Sequence, residues 1–452
     1  MPFDTGALAA VALQVPSLLL PREDVPLGTW AVVACDQYTS QPEYWQRVAE
    51  ACAGKPSTLG LILPEVDLAA PDVGDRIGRI NATMAAYLAD GVLVEEAPGV
   101  MLVERTTHGA RVRRGLVVAM DLERYDFRPG AASLIRATEG TILERLPPRM
   151  QIRRHALLEL PHIMVLIDDP QRTVIEPLFA EVAQQGLPPR YDFELMEGGG
   201  HLRGHHLSLP EALDGLAARL ARLGTLEQMQ AKYGTREQGV FLYAVGDGNH
   251  SLATAKAIWE DVKAGRDAAS VGAHPARHAL VELVNVHDAG LVFEPIHRVL
   301  FGIDPNTFLA TMDAYFRNKD PGYSRTTGGP ELVKRTRQAR SGETLITCVT
   351  AQGYALLAFR TPPHTLAVGT LQAFLDAYLE ERSGVSIDYV HGEAVVRTLG
   401  ASPGHAGFFL PPLVKQDLFR TVMCEGALPR KAFSMGDAEE KRFYMEARKI
   451  RP

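Results

Sequence analysis

Gly239-Val240-Phe241-Leu242-Tyr243-Ala244-Val245 runs directly into Gly246-Asp247-Gly248-Asn249-His250-Ser251, and the two together set the class of this chain. The first run is short, β-branched and aromatic, as a buried strand is. Behind the glycine turn, Leu252, Ala253, Ala255, Ala257, Ile258 and Trp259 combine good helix formers with an apolar stripe. Strand, glycine turn and helix N-terminus aim backbone N–H groups and the positive end of the helix dipole at an anion. The same spacing also suits an ordinary strand-to-helix connection in which Asp247 or Asn249 caps the helix. The glycine pattern is shorter than a phosphate-loop signature, so the residues leave both readings open.

Outward from this turn, strands and helices alternate, which predicts an α/β protein, with α+β as the other arrangement. Upstream, strands are expected at Val11 to Leu20, Trp30 to Ala34 and Leu59 to Leu63, and helices at Pro42 to Cys52 and Asp75 to Leu88. Met101 to Arg105 and Arg111 to Met120 read as a hairpin around His108-Gly109. Asp126 to Pro148 is irregular and rich in Pro and Gly, yet its aliphatic and charged content speaks for a functional loop. Further strands are expected at Ile163 to Ile167, Tyr191 to Met196 and His201 to Leu207, with helices at Pro210 to Leu223 and Leu226 to Tyr233. Downstream come strands at Ala279 to Val286, Thr344 to Thr350 and Tyr354 to Phe359, a helix at Leu371 to Glu381, and a charged closing helix at Glu439 to Arg448. The turn-rich stretch Asp320 to Pro330 predicts a break, giving regions 1–125, 126–320 and 321–452.

The 452 residues suffice for two or three domains at roughly 100–200 residues each. Apolar content of 46% and charged content of 22% are those of an ordinary globular protein. No apolar run approaches the roughly 20 residues of a membrane span. The start, Met1-Pro2-Phe3-Asp4, lacks the basic opening of a secretory signal. Cys35, Cys52, Cys348 and Cys424 are scattered, which points to a reducing, cytoplasmic compartment and away from a cysteine metal site. A net charge of −7 argues against nucleic acid. A small molecule is the expected partner, and the oligomeric state is left open.

Several segments carry residue types suited to anion chemistry. Ile135-Arg136-Ala137-Thr138-Glu139-Gly140-Thr141 groups a guanidinium, a carboxylate and two hydroxyls, fit for anion binding and general base work, or simply for a solvated loop. Pro295-Ile296-His297-Arg298 places a cation at a strand end, able to clamp a phosphate or to sit beside a structural histidine. Asp36, after the Trp30 to Ala34 run, is either a ligand contact or a turn cap. Pro429-Arg430-Lys431-Ala432-Phe433-Ser434-Met435-Gly436 is a basic turn that suits an anionic ligand or solvent. His201, His205 and His206 lack the i, i+4 spacing of a metal helix, so no metal site is expected. No hydrolase elbow, Walker loop, dinucleotide fingerprint or kinase catalytic loop occurs.

Asp247-Gly248-Asn249-His250, the Arg136 to Thr141 segment, Pro295 to Arg298 and Pro429 to Gly436 together resemble the bacterial and archaeal family known as domain of unknown function 1015. That resemblance spans nearly the whole chain. More remotely, the Asp-Gly-x-His pattern is similar to that of the ParB and sulfiredoxin superfamily, where it opens a helix and binds nucleotide phosphates, and which includes free-serine kinases. The family pattern has arginine where this chain has Ser251, and histidine where it has Thr138. Arg136, Glu139 and Thr141 carry over from the loop.

The resemblance implies mixed sheets with a nucleotide-binding core and a second, C-terminal region. It also implies a phosphotransfer enzyme on a small hydroxyl metabolite such as serine, using ATP or ADP with Mg²⁺. Asp247, His250 and Glu139 would be catalytic. Gly248, Asn249, Arg136, Thr141, His297, Arg298, Lys431 and Asp36 would hold the phosphates or the ligand. A phosphatase of a phosphorylated metabolite and a non-catalytic nucleotide-binding regulator are the alternatives.

Overall fold

The alternating strands and helices sort into two units, Met1–Val292 together with Met435–Pro452, and Phe293–Ser434. The computed structural model describes residues 4–107, 110–128, 130–237, 239–264, 266–267, 271–340 and 342–452. One sheet runs straight across the expected 125/126 boundary, with strands on both sides of it inside the first unit. The break expected at Asp320 to Pro330 is instead an edge strand, Ser324–Gly328, within the second unit.

The first unit is built on a mixed sheet. Its strands are β1 (Leu13–Gln14), β2 (Val100–Thr106), β3 (Val112–Asp121), β4 (Tyr125–Asp126), β5 (Ile135–Ala137), β6 (Met164–Ile167), β7 (Tyr191–Glu194), β8 (His201–Leu207), β9 (Tyr243–Asp247) and β10 (His278–Asn285). Their order across the sheet is β7-β8-β2-β3-β10-β6-β9-β5-β4, with β1 added to β3. Pairing is antiparallel from β7 to β10, parallel between β10 and β6, antiparallel between β6 and β9, and parallel from β9 to β4. Alternate residues of β2 and β3 enter different cores: Leu102, Leu116 and Val118 one, Met101, Val103 and Val117 the other. Burial on both faces explains why these strands read as nearly continuous apolar runs rather than alternating ones.

Helices Pro42–Cys52, Val73–Ala89, Pro210–Leu223 and Leu226–Tyr233 form where periodicity predicts them. The hairpin of β2 and β3 also forms; its expected turn, His108-Gly109, lies outside the described residues. Four short elements differ from expectation. Val11 to Leu20 is interrupted at Pro16 and yields only Leu13–Gln14 and Leu19–Pro21, while Leu59 to Leu63 gives a 3-10 turn at Thr58–Leu61. Trp30 closes a helical turn, and only Val33 bridges, to Phe443. The strand expected at 239–245 is laddered at Tyr243–Asp247, since Leu242 and Tyr243 both donate to the Leu134 carbonyl before pairing begins. The irregular stretch 126–148 contains β5, a 3-10 turn at Leu143–Arg145 and the start of helix α1 (Leu146–Arg154).

The closing helix is the largest departure. Beyond a 3-10 turn at Ala438–Glu440 the chain is non-helical to its end apart from the short strand Arg448–Lys449. Its charges, so suited to a solvated helix, are instead buried in ion pairs. Arg442 bonds Glu282 and Glu446, Tyr191 donates to Glu446, and Arg448 holds Glu159 at 2.6 Å. Burial works to raise the Glu282 carboxyl, and the Arg113 and Arg442 guanidiniums outweigh it and hold it below the usual range.

The second unit has an antiparallel sheet of β11 (His297–Phe301), β12 (Ser324–Gly328), β13 (Thr344–Thr350), β14 (Gly353–Phe359), β15 (Ser386–Val390) and β16 (His405–Phe409), in the order β12-β14-β13-β16-β11-β15. Helices Pro305–Lys319 and Ala367–Glu380 bring Phe308, Phe316 and Phe374 into an aromatic cluster with Phe408 and Phe359. No helix among the described residues is long and apolar enough to cross a membrane.

Candidate functional site

β9 ends at Asp247, and helix α2 (Asn249–Lys263) begins two residues later. The two glycines between them serve different needs. The register of β9 on β6 shifts between Val245 and Asp247, and a Cβ on Gly246 would stand 2.8 Å from Leu166 Cδ1. Gly248 caps α2 in the left-handed region at φ 77. Between them, Asp247 is turned toward two donors. Its Oδ1 accepts from the Gly248 N–H at 3.1 Å, and its Oδ2 from Lys441 Nζ at 3.1 Å.

Asn249 and His250 tie a second segment to this turn. The Asn249 Oδ1 accepts from the Thr138 N–H at 3.2 Å, and its Nδ2 donates to the Val245 carbonyl at 3.3 Å. The Thr138 hydroxyl donates to that same carbonyl at 2.6 Å. Four residues on, the Ile142 N–H donates to His250 Nε2 at 3.3 Å. The segment 138–142 is therefore fastened at both ends, and Glu139 and Thr141 lie between the two fastenings. Thr141 Oγ1 is buried without a hydrogen-bond partner among the described residues.

The His250 imidazole is pushed down to about 4, by burial first and then by Arg149 and Arg145. It is neutral at pH 7. Because Nε2 accepts from Ile142, its proton belongs on Nδ1. Arg149, on α1, is itself paired with Glu65. The turn thus gathers one ammonium, two guanidiniums and a helix N-terminus around an uncharged ring.

Ser251, the residue after the motif, begins a hydrogen-bonded chain. Its Oγ lies 2.8 Å from His162 Nε2, and His162 Nδ1 lies 2.9 Å from the Tyr444 hydroxyl. Tyr444 is buried and its oxygen accepts from the Cys35 N–H at 3.2 Å. Burial and then neighbouring Asp36 push the Cys35 thiol up to about 12, so it is a protonated, inert thiol. Asp36 accepts from Gln37 Nε2 at 2.9 Å.

The remaining sequence candidates have partners of their own. Arg136 is buried beneath β5, paired with Glu237 at 2.5 Å, donating to the Ser133 and Gly239 carbonyls and lying over the Phe241 ring. It anchors the start of the 239–247 segment. His297, Arg298 and Lys431 belong to the second unit. There His297 Nδ1 accepts from the Leu410 N–H at 3.1 Å, while Arg298 and Lys431 both lie over the Tyr389 ring. Arg298 is fully buried and donates to the Ile296 and Arg430 carbonyls and to Gln372. Among the described residues no group of three His, Cys, Asp or Glu is placed to hold a metal ion. His201 pairs with Asp192 at 2.7 Å.

Sequence reading missed His162, Tyr444, Lys441, Arg145 and Arg149, and met Ser251 only as a departure from a pattern. Lys441 and Tyr444 fall in the expected charged closing helix, and nothing in the sequence places Lys441 beside Asp247 or Tyr444 beside His162. A histidine directly after Pro161 and before a buried strand was the one readable signal.

A family model described as a protein of unknown function, DUF1015, matches residues 17–378. No curated protein matches the chain. Among solved structures it is similar to a variant of a free serine kinase in complex with AMP, at 9% identity and a TM-score of 0.39 over 75% of this chain and 93% of that one. A conserved hypothetical protein from Pyrococcus furiosus is similar at 9% identity and a TM-score of 0.36, over 74% and 95%. A C-terminally truncated SbnI from Staphylococcus aureus is similar at 11% identity and a TM-score of 0.34, over 71% and 83%.

Proposed function

The chain belongs to the DUF1015 family, and within it we propose a phosphotransfer enzyme that holds nucleotide phosphates at the Asp247–Ser251 turn and passes a phosphoryl group to a small hydroxyl metabolite. The observation that carries this reading is the gathering of Lys441, Arg145 and Arg149 about the N-terminus of α2, beside a neutral His250. Cations at a helix start suit a polyanion that takes the place of their present carboxylate partners, Asp247 for Lys441 and Glu65 for Arg149, and positioning with charge neutralisation supplies most of phosphoryl-transfer catalysis.

In this reading Lys441, held by Asp247, and the α2 backbone N–H groups bind the phosphates. His250 donates from Nδ1 as an uncharged hydrogen-bonding group, and Glu139, on the fastened loop, takes the proton of the acceptor hydroxyl. Mg²⁺ enters as the counter-ion of the nucleotide, for which one or two carboxylates and the phosphates themselves suffice as ligands. Arg136, His297, Arg298 and Lys431 are not needed for it.

Thermal unfolding in the presence of ATP or ADP, with and without Mg²⁺, tests the binding step, since a ligand of the folded state raises Tm by mass action. A rise that is lost in His250→Ala, together with folded but inactive Glu139→Gln, is the expected result. No rise with either nucleotide overturns the reading. A rise with phosphorylated metabolites alone would redirect it to hydrolysis of such esters.

A further inference from the structure

We propose that Ser251 is a nucleophile that carries the phosphoryl group covalently, with the His162 imidazole as its base and the Tyr444 hydroxyl as the group that fixes the ring. The inference deepens the phosphotransfer reading and rests on it for the donor. Its own support is geometric. An activated serine requires a base within hydrogen-bond reach and a third group that orients the base. Here Ser251 Oγ and His162 Nε2 are 2.8 Å apart, and His162 Nδ1 and the Tyr444 oxygen 2.9 Å. The His162 and Tyr444 rings also meet edge to face, at 88° and 5.6 Å between centroids, which holds the imidazole plane.

The third group is anchored in turn. Tyr444 is buried, and its oxygen accepts from the Cys35 backbone N–H. In the tautomer that carries its proton on Nδ1, His162 donates to the Tyr444 oxygen and turns the lone pair of Nε2 to the serine proton. Serine and imidazole are both partly exposed, unlike the buried tyrosine behind them. Ser251 is the third residue of α2, one residue beyond the ring of His250 and four beyond Asp247 with its Lys441. The hydroxyl therefore stands on the same first helical turn that the phosphates are proposed to occupy.

The chemistry divides into two balanced steps. In the first, Ser251 Oγ attacks the terminal phosphorus of a nucleoside triphosphate, the O–P bond to the nucleoside diphosphate breaks, and the serine proton passes to His162 Nε2. In the second, the acceptor hydroxyl attacks the phosphoserine, giving its proton to Glu139. The Ser251 O–P bond breaks, and the His162 imidazolium returns its proton to Ser251 Oγ. The sum transfers one phosphoryl group and releases one proton. Neither a reductant nor an oxidant is needed.

Two probes separate this inference from the reading beneath it. A fluorophosphonate, which needs no nucleotide site, should label the protein at Ser251, as read by peptide mass spectrometry. Labelling should vanish in Ser251→Ala and slow at least about 100-fold in His162→Gln, the loss expected for a general base. Tyr444→Phe should fold and should move the pH midpoint of labelling downward, because the imidazolium loses an acceptor at Nδ1; a purely structural tyrosine would leave that midpoint in place. Incubation with the Mg²⁺ complex of ATP should then give phosphoserine at 251 in the wild type. Fluorophosphonate labelling without nucleotide binding supports the nucleophile and overturns the donor. Nucleotide binding with no label at Ser251 from either probe overturns the nucleophile and leaves the binding reading standing. Failure of both overturns both.

Discussion

Two histidines with nearly the same electrostatic fate play different parts. His250 and His297 are each pushed down to about 4, burial being the first cause for both. In His250 the neutral ring ties a loop to a helix start. In His297 it accepts the Leu410 N–H inside the second unit. A histidine whose native pKa is about 4 against an ordinary 6.5 binds its proton less readily folded than unfolded. Its contribution is complete above pH 6.5 and is lost as pH falls from there toward 4. Replacing His297 by asparagine puts Oδ1 where Nδ1 was, keeps the acceptor for Leu410, and removes the titration. The Tm of His297→Asn is expected to fall less than that of the wild type between pH 6.5 and 4, measured by circular dichroism melts across that range. Equal slopes would show that the ring is protonated without cost. His250 and His278, also shifted to about 4, and the buried carboxylates held low by their partners, Glu159 and Glu282 among them, contribute to the slope that remains.

The strand–turn–helix element of β9 and α2 works because its backbone does two unusual things within three residues. It bulges at Gly246 against Leu166, then turns left-handed at Gly248 to open the helix. A side chain on Gly248 meets two penalties, the left-handed φ and a Cβ 3.1 Å from Ile163 Cα. The conformational part alone is about 1–2 kcal/mol. Gly248→Ala is therefore expected to lower stability by at least about 1 kcal/mol in urea titrations and to weaken the nucleotide-induced rise in Tm. An unchanged Tm would mean the turn relaxes freely. The 138–142 segment has no regular structure of its own; it gains a fixed place from Asn249 and His250, which make it part of this element rather than a separate loop.

At the scale of the molecule, the C-terminal segment knits the first unit together from inside. Arg442 reaches Glu282 on β10 and Glu446, and Arg448 reaches Glu159, all of them buried. Removing one partner of such a pair leaves a buried charge uncompensated, which costs about 3–5 kcal/mol. Arg442→Met is expected to destabilise the protein by that amount in urea unfolding, and Arg442→Met with Glu446→Gln to recover part of it, since Glu282 keeps Arg113 and the amide carries no charge. A small effect in the single variant would place the network at the margin of the fold. Lys441 and Tyr444 ride on the same segment, so its loss would also remove the partners of Asp247 and His162.

Hydrophobic period and turn chemistry are local properties. For that reason Pro42–Cys52, Val73–Ala89, Pro210–Leu223 and the helix opened by Asp247-Gly248-Asn249-His250 are legible in the residues alone. The mixed α/β class is legible too, because it depends only on their alternation. Which charges go inside is not a local property. Glu439 to Arg448 has the composition of a solvated helix, yet Arg442 and Arg448 are buried because Glu282 and Glu159, far upstream, neutralise them, and Glu446 because Arg442 pairs with it and the Tyr191 hydroxyl donates to it. The same distance hid the partners of the glycine turn. Arg136 and Arg298 look like ligand-binding cations in the chain, and tertiary packing over Phe241 and Tyr389 makes them anchors. Lys441, His162 and Tyr444 look like nothing in particular, and the fold brings them to Asp247 and Ser251. Local sequence carries the energetics of helices and turns; the pairing of buried charges is decided only when distant segments exclude water together.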